Sequence, residues 1–312
     1  MGSGLEALNK YKMFIDGEWT DSASGEVFET YDPYTAQPWA LIPRGNSEDV
    51  NRAVEAADRA FKTGEWPSMN ATNRGHMIRK FADLIAAKAD DLAKIEVRDN
   101  GKLIAEMSAQ CKYLTQWYYY YAGLCDKIEG SVIPIDKPGH FNYTVWEPLG
   151  VCACIVPWNS PLLLLAWKLA PLLAAGNTAV IKPSEYTSAS TLEFMKIVEA
   201  VFPKGVVNVV TGFGGEAGGP LVEHPTVEKV AFTGSDVTGA AIYAQAAKQM
   251  KKVTMELGGK SPNIVFSDAH LENAVKGVIS GIFAATGQTC IAGSRLLVQE
   301  SIHDEFVDKL VA

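Results

Sequence analysis

From residue 150 onward, short runs of apolar residues alternate with longer stretches in which apolar residues recur every three or four positions. The runs are Val151–Val156, Thr178–Lys182, Val206–Thr211, Lys229–Thr233 and Lys252–Leu257, with a helical stretch between each and the next. This alternation predicts βαβ units and a parallel sheet covered on both faces. After Gly258-Gly259 the pattern predicts a strand over Asn263–Phe266 and a long helical segment ending near Gly287. A strand over Arg295–Gln299 and a helix over Ser301–Val311 complete the chain.

The first 150 residues follow other periods. Lys12–Ile15 and Glu18–Thr20 flank Asp16-Gly17, a hairpin signal. Ser24-Gly25 then leads into Val27-Phe28. Ser47 is placed as a helix N-cap, followed by Val50, Ala53, Val54, Ala57 and Phe61 at helical spacing. A second amphipathic helix carries Met77, Ile78, Phe81, Leu84, Ile85 and Leu92. A third covers 105–125, and its aromatic run Tyr118–Tyr121 reads as core and interface packing ahead of ligand contact. Residues 130–148, punctuated by Gly130, Pro134, Pro138, Gly139 and Pro148, predict a protruding hairpin.

Composition narrows the classes. The 312 residues suffice for two domains, and 47% hydrophobic with 21% charged residues is ordinary for a globular protein. The net charge of −8, with no basic stripe, argues against nucleic acid as a partner. Pro161–Ala175 is the longest apolar stretch; Lys168 and Pro171 interrupt it, so it reads as a buried helix rather than a membrane span. The N-terminal decapeptide carries neither a leader pattern nor a myristoylation pattern. Cysteines 111, 125, 152, 154 and 290 have spacings suited to neither zinc nor a disulfide framework, which predicts a reducing, cytoplasmic setting. Cys152 and Cys154 share one face of a strand. The five histidines form no ligand pair, and no metal site is expected.

Candidate chemistry collects after strands. Val-Pro-Trp-Asn-Ser-Pro (156–161), Ile-Lys-Pro-Ser-Glu (181–185), Gly212–Gly218, Phe-Thr-Gly-Ser (232–235) and Glu256-Leu-Gly-Gly each follow a predicted strand. Ligands of open parallel sheets bind at such ends. Gly234-Ser235 at a helix start suits a pyrophosphate. The spacing of Gly212, Gly214 and Gly218 is not the dinucleotide fingerprint, and a tight strand-to-helix turn explains it equally well. Lys182 and Glu185 at a strand end could hold ribose hydroxyls. Cys290, in Gly-Gln-Thr-Cys (287–290), and Glu256 are a thiol and a carboxylate suited to covalent catalysis followed by hydrolysis.

Together these residues resemble the NAD(P)-dependent aldehyde dehydrogenase superfamily. Pro-Trp-Asn (157–159), Lys-Pro-Ser-Glu (182–185), Phe-Thr-Gly-Ser (232–235), Glu-Leu-Gly-Gly-Lys-Ser-Pro (256–262) and Gly-Gln-Thr-Cys (287–290) stand in the family's order and spacing. Phe-Ile-Asp-Gly-Glu-Trp and Tyr-Asp-Pro extend the resemblance to the N-terminal part. It implies an α/β architecture: a Rossmann-like NAD-binding domain over 1–129 and 149–258, an oligomerisation hairpin over 130–148, and the start of a second α/β catalytic domain over 259–312. The full-length parent would be a homodimer or homotetramer.

The resemblance also implies roles. Cys290 would be the nucleophile and Glu256 the general base. Asn159 and the Cys290 backbone N–H would form the oxyanion hole, a donor worth roughly 3 kcal/mol in related sites. Lys182 and Glu185 would bind the adenosine ribose and Ser235 the pyrophosphate. Ile155, Val156, Pro157, Trp158, Ser184, Gly214, Gly218, Phe232, Thr233, Gly234, Leu257 and Gly258 would shape the rest of the cofactor site. Glu185 favours NAD over NADP, since a carboxylate repels a 2′-phosphate. Tyr113, Trp117, Leu164, Trp167, Thr289 and Ile291 would line an apolar tunnel for a medium aliphatic or aromatic aldehyde. Betaine aldehyde ranks lower, because Ser160 and Ala284 are small where that subgroup often places rings.

Two family features are absent from these residues: a Glu-x-Phe-Gly-Pro segment after the nucleophile and a C-terminal interface strand. A fragment with an exposed sheet edge, unstable and inactive, is therefore the expectation. The alternatives are a non-catalytic relative acting as a binding protein and a cofactor-independent thiol esterase.

Overall fold

The computed structural model describes residues 8–312. The leader and myristoylation readings fall largely outside the described residues. Five short strands come first: β1 (Asn9–Lys10), β2 (Met13–Ile15), β3 (Glu18–Thr20), β4 (Val27–Asp32) and β5 (Gln37–Pro43). Helices α1 (Ser47–Lys62), α2 (Glu65–Ser68), α3 (Ala71–Asn100) and α4 (Ile104–Ala122) follow. A hairpin, β6 (Val132–Ile133) and β7 (Asn142–Tyr143), precedes the alternating region.

That region runs β8 (Val151–Ile155), α5 (Pro161–Ala174), β9 (Thr178–Lys182), α6 (Ala189–Glu199) and β10 (Val207–Val209). A π-helical turn, Gly214–Gly218, enters α7 (Gly219–Glu223); then come β11 (Val227–Gly234), α8 (Asp236–Ala247) and β12 (Lys252–Leu257). The last segment holds β13 (Pro262–Val265), α9 (Leu271–Phe283), a 3-10 turn over Ala284–Gly287, β14 (Arg295–Val298) and α10 (His303–Val311).

The main sheet has the order β12-β11-β8-β9-β10-β2-β3. Strands β8 to β12 pair in parallel, as the apolar runs predict. The predicted N-terminal hairpin forms around Asp16-Gly17, but it also docks antiparallel on β10 and extends this sheet. A second sheet, β1-β5-β4, lies outside it. The strand expected over Val206–Thr211 shortens to β10, and the helix expected from Ser301 begins at His303 after a 3-10 turn.

Alternation along each strand divides the core in two. Cys152, Cys154, Ala179 and Ile181 pack against α3, α4, α5 and α6. Val151, Ala153, Ile155 and Val180 pack against α1 and α7. Both faces of β8 and β9 are thus buried, which explains their continuous apolar character, whereas β12 at the sheet edge is largely exposed rather than covered on both faces. The predicted buried helix 161–175 is α5, whose apolar residues are almost all buried.

The start of α1 corrects one expectation. Asn46, not Ser47, is the N-cap: its side chain accepts from Glu48 N–H at 2.9 Å, and Asp49 reaches back to Asn46 N–H at 3.1 Å. The reciprocal carboxylate makes a capping box, so the cap moves back one residue. On α3, Phe81 is fully buried and meets Tyr118, Phe194 and Phe202 edge-on, with ring centroids 5.1, 5.3 and 5.0 Å away. Phe81→Ala should lower the unfolding free energy by about 3–5 kcal/mol, read as a lower urea midpoint at unchanged slope.

The hairpin of β6 and β7 is exposed throughout, with Phe141 at 72% and Trp146 at 73%. Residues 259–312 have a small core of their own, built from Val265, Val275, Val278 and Phe306. Their two-stranded parallel sheet leaves Ile264, Phe266 and Leu297 exposed.

Candidate active site

Five parallel strands end on one side of the sheet, and the loops after them enclose a cleft of about 960 Å³. Every residue expected at the cofactor site lines it: Ile155 to Trp158 after β8; Lys182, Ser184 and Glu185 after β9; Gly214 and Gly218; Phe232 to Ser235; Leu257 and Gly258. Parallel pairing brings these five loops to a single edge.

The loop after β10 needs its glycine. Gly212 has φ of +136°, and a Cβ there would lie 2.6 Å from the Gly45 carbonyl oxygen. The π-helical turn that follows is tied by Arg44, whose guanidinium makes two hydrogen bonds to the Glu216 carboxylate and covers the Phe213 ring at 5.1 Å.

Two features suit an anionic, ribose-bearing ligand. Ser235 caps α8, its side chain accepting from Thr238 N–H at 3.2 Å, so the helix's positive end faces the cleft wall. Lys182 is buried, donates to the Pro183 carbonyl at 2.8 Å and stands 3.7 Å from Glu185. Burial pulls its ammonium below the usual lysine range, and Glu185 opposes that shift.

The nucleophile candidate enters from the last segment. Cys290 is half-buried and lines the cleft with Gly287, Gln288 and Thr289. The other four thiols are buried. Burial pushes Cys152 and Cys154 up to about 12, which keeps them protonated at neutral pH. The loop before Cys290 is strained: Ala285 and Thr286 are left-handed at φ of 54° and 55°. Such conformations cost about 1–3 kcal/mol each and persist only where the surroundings hold them. Here the Glu106 carboxylate accepts the Ala285 N–H, with both oxygens at 3.1 Å.

Asn159 reaches the same loop, donating from Nδ2 to the Gln288 carbonyl at 2.8 Å. Glu256 stands exposed near the end of β12, opposite Thr233 of β11. Lys168 of α5 donates to the Thr233 hydroxyl. Burial lowers the Lys168 ammonium, against the fields of Cys154 and Glu256.

Of the expected aldehyde-binding residues, Leu164 and Thr289 line the cleft. Tyr113, Trp117, Trp167 and Ile291 do not: Trp117 packs on Trp167 with centroids 5.6 Å apart, and Ile291 is 74% exposed.

The sequence reading missed the layer beneath. Glu96, Asp99, Asn100 and Lys102 are all buried at the C-terminal end of α3. Glu96 accepts from the Leu162 N–H and from the Cys111 thiol; Asp99 accepts from the Thr30 hydroxyl and the Ser190 N–H. Burial raises the Glu96 carboxyl to about 7 and the Asp99 carboxyl to about 8. The unfolded chain ionises both near about pH 4, so between those limits the fold binds more protons and loses stability as pH rises. The urea midpoint should therefore fall from about pH 5 to pH 8 and then level off, and Asp99→Asn should flatten that slope. A flat wild-type profile would contradict this.

The aldehyde dehydrogenase family model matches residues 19–312. The chain is 49% identical over 304 residues to (Z)-2-((N-methylformamido)methylene)-5-hydroxybutyrolactone dehydrogenase of Acinetobacter baylyi, covering 97% of this chain and 62% of that protein. It is 47% identical to an aldehyde dehydrogenase of Aspergillus niger, covering 99% of this chain and 62% of that one. The solved NAD+ complex of a Bacillus cereus aldehyde dehydrogenase superposes with a TM-score of 0.95 at 44% identity, covering 100% of this chain and 64% of that one. The chain thus spans somewhat under two thirds of the length of these relatives.

Proposed function

We propose, from the premise that this chain belongs to the aldehyde dehydrogenase family, that it carries the NAD site and the nucleophile of an enzyme oxidising an aldehyde to a carboxylic acid. The observation that carries this reading is the junction of Asn159 and the Cys290 loop at the mouth of a strand-end cleft. A thiol and an amide donor brought together there suit attack on a carbonyl and stabilisation of the oxyanion that results.

The cleft fits a dinucleotide by its donor set. The α8 N-terminus at Ser235 suits the pyrophosphate, Lys182 and Glu185 suit the ribose, and Gly214 and Gly218 leave room for close approach. NAD, when bound, supplies the acceptor for the hydride that leaves the aldehyde carbon. The Glu185 carboxylate would repel a 2′-phosphate, which supports NAD over NADP. The NAD+ complex of the Bacillus cereus relative supports the same cofactor.

The chain's own residues would do the rest. The Cys290 thiolate forms a bond to the carbonyl carbon, and the carbonyl electron pair moves to oxygen. Asn159 Nδ2 and the Cys290 N–H receive that charge. Once hydride has left, Cys290 holds a thioester. Glu256 takes a proton from water, the hydroxyl adds to the thioester, and the acid departs as the thiol is restored. Leu164 and Thr289 would contact the aldehyde.

Residues 130–148 would serve assembly into a dimer or tetramer, in keeping with their exposed aromatic residues. Residues 8–129 and 149–258 would form the NAD-binding domain, and 259–312 part of a catalytic domain.

The test is to incubate the protein, carried to the full length of its relatives, with NAD and a panel of aliphatic and aromatic aldehydes. Acid and NADH in equal amounts are expected, with NADP the poorer cofactor. Ester cleavage by Cys290 without any NADH would replace this reading with that of a thiol esterase.

A further inference from the structure

Three carboxamides close a ring at the cleft wall, two of them, Asn159 and Gln288, lining it. Asn100 is the last residue of α3 and is 4% exposed. Its Nδ2 donates to the Asn159 carbonyl at 3.3 Å. The Asn159 Nδ2 donates to the Gln288 carbonyl at 2.8 Å. The Gln288 Nε2 donates to the Asn100 carbonyl at 3.0 Å. Each side chain therefore bonds the main chain of the next. The three residues come from separate elements: the end of α3, the loop after β8, and the nucleophile loop.

The Asn100 corner is the anchored one. Its Oδ1 accepts the Lys102 N–H at 3.0 Å, and Gly101 turns the chain with φ of +73°. Lys102 Nζ donates to the Ser160 hydroxyl at 2.7 Å, which ties the residue after Asn159 to the same turn. The Gln288 orientation is set by the ring alone, because its Oε1 is buried and without a partner. A flipped Gln288 amide would set two carbonyl oxygens against each other.

A primary amide has two N–H donors. One Asn159 donor is engaged by the Gln288 carbonyl, and that bond fixes the plane of the amide. The second donor then has a set direction. We propose that Asn100 is a positioning residue, which aims the free Asn159 donor by holding the oxyanion loop and the nucleophile loop at a fixed separation. This rests on the reading of Cys290 as nucleophile and Asn159 as oxyanion donor. In a closed ring, loss of one bond loosens the other two.

The test compares two reactions of one thiol. Acetylation by p-nitrophenyl acetate forms an S–C bond, passes through an oxyanion and releases p-nitrophenolate. Alkylation by iodoacetamide forms an S–C bond and releases iodide, with no oxyanion. Asn100→Asp keeps the acceptor for Lys102 N–H and removes the donor to Asn159. Gln288→Met breaks the ring at another bond. Removing a whole oxyanion donor costs about 10²–10³ in rate, so misaiming it should slow acetylation about 10–100-fold in both variants. Alkylation should stay at the wild-type rate. A parallel fall in both reactions, unchanged acetylation, or failure of both variants to fold by circular dichroism would overturn the proposal. Wild-type acetylation that survives Cys290→Ala would instead overturn the reading beneath it.

Discussion

Cys290→Ala should abolish aldehyde oxidation while leaving NAD binding intact. Loss of a nucleophile that acts in concert with its partners costs on the order of 10⁶ in turnover in comparable covalent enzymes. No other thiol can substitute here. Cys111, Cys125, Cys152 and Cys154 are buried, and burial pushes each of them up. The cleft walls after β8, β9, β10 and β11 do not depend on Cys290. The variant should therefore bind NAD by calorimetry with unchanged affinity and form no NADH. NADH production near the wild-type rate would move the nucleophile elsewhere.

How much of this was legible beforehand depended on the range of the interaction. Strand β9 lies where its apolar run placed it, because a strand buried on both faces shows its limits locally; β12 also lies over its run, although it is a largely exposed strand at the sheet edge. The docking of the β2–β3 hairpin on β10 depends on pairing across some two hundred residues, which no local period reports. The gathering of the strand-end loops around one cleft was legible because parallel topology sends them all to one edge. The ring of Asn100, Asn159 and Gln288 was not, because each of its bonds ends on a main-chain carbonyl, and any residue type carries one.

One signal was present and unread. On α3 the buried positions Ile78, Phe81, Ile85, Ala89 and Leu92 step by three or four residues. The same step reaches Glu96 and then Asp99. Extending the apolar period through polar residues would have marked both carboxylates as buried. A buried charge requires partners, which points to the polar layer beneath the cleft. The Ser47 assignment failed for a related reason: Asn46 and Ser47 are both good caps, and the reciprocal bond from Asp49 decided between them.

Glu256→Gln should separate the two halves of the proposed reaction. The thiol half needs Cys290 and Asn159; the hydrolytic half needs a base for water. Glutamine keeps the size of the side chain and cannot accept the proton, so hydrolysis should slow by about 10²–10⁴. Rapid mixing with aldehyde and NAD should then give one burst of NADH, equal to the active sites, followed by near-arrest. Mass spectrometry of the denatured protein should find the acyl group on Cys290. Hydroxylamine, which attacks a thioester without help from a base, should restore turnover. The position of Glu256 suits this division: it stands exposed at the end of β12, beyond the buried strands and opposite Thr233, where water can reach it. A variant that is slow but shows neither a burst nor an acyl adduct would assign Glu256 to a step before the thioester, and the base for hydrolysis would have to come from another residue.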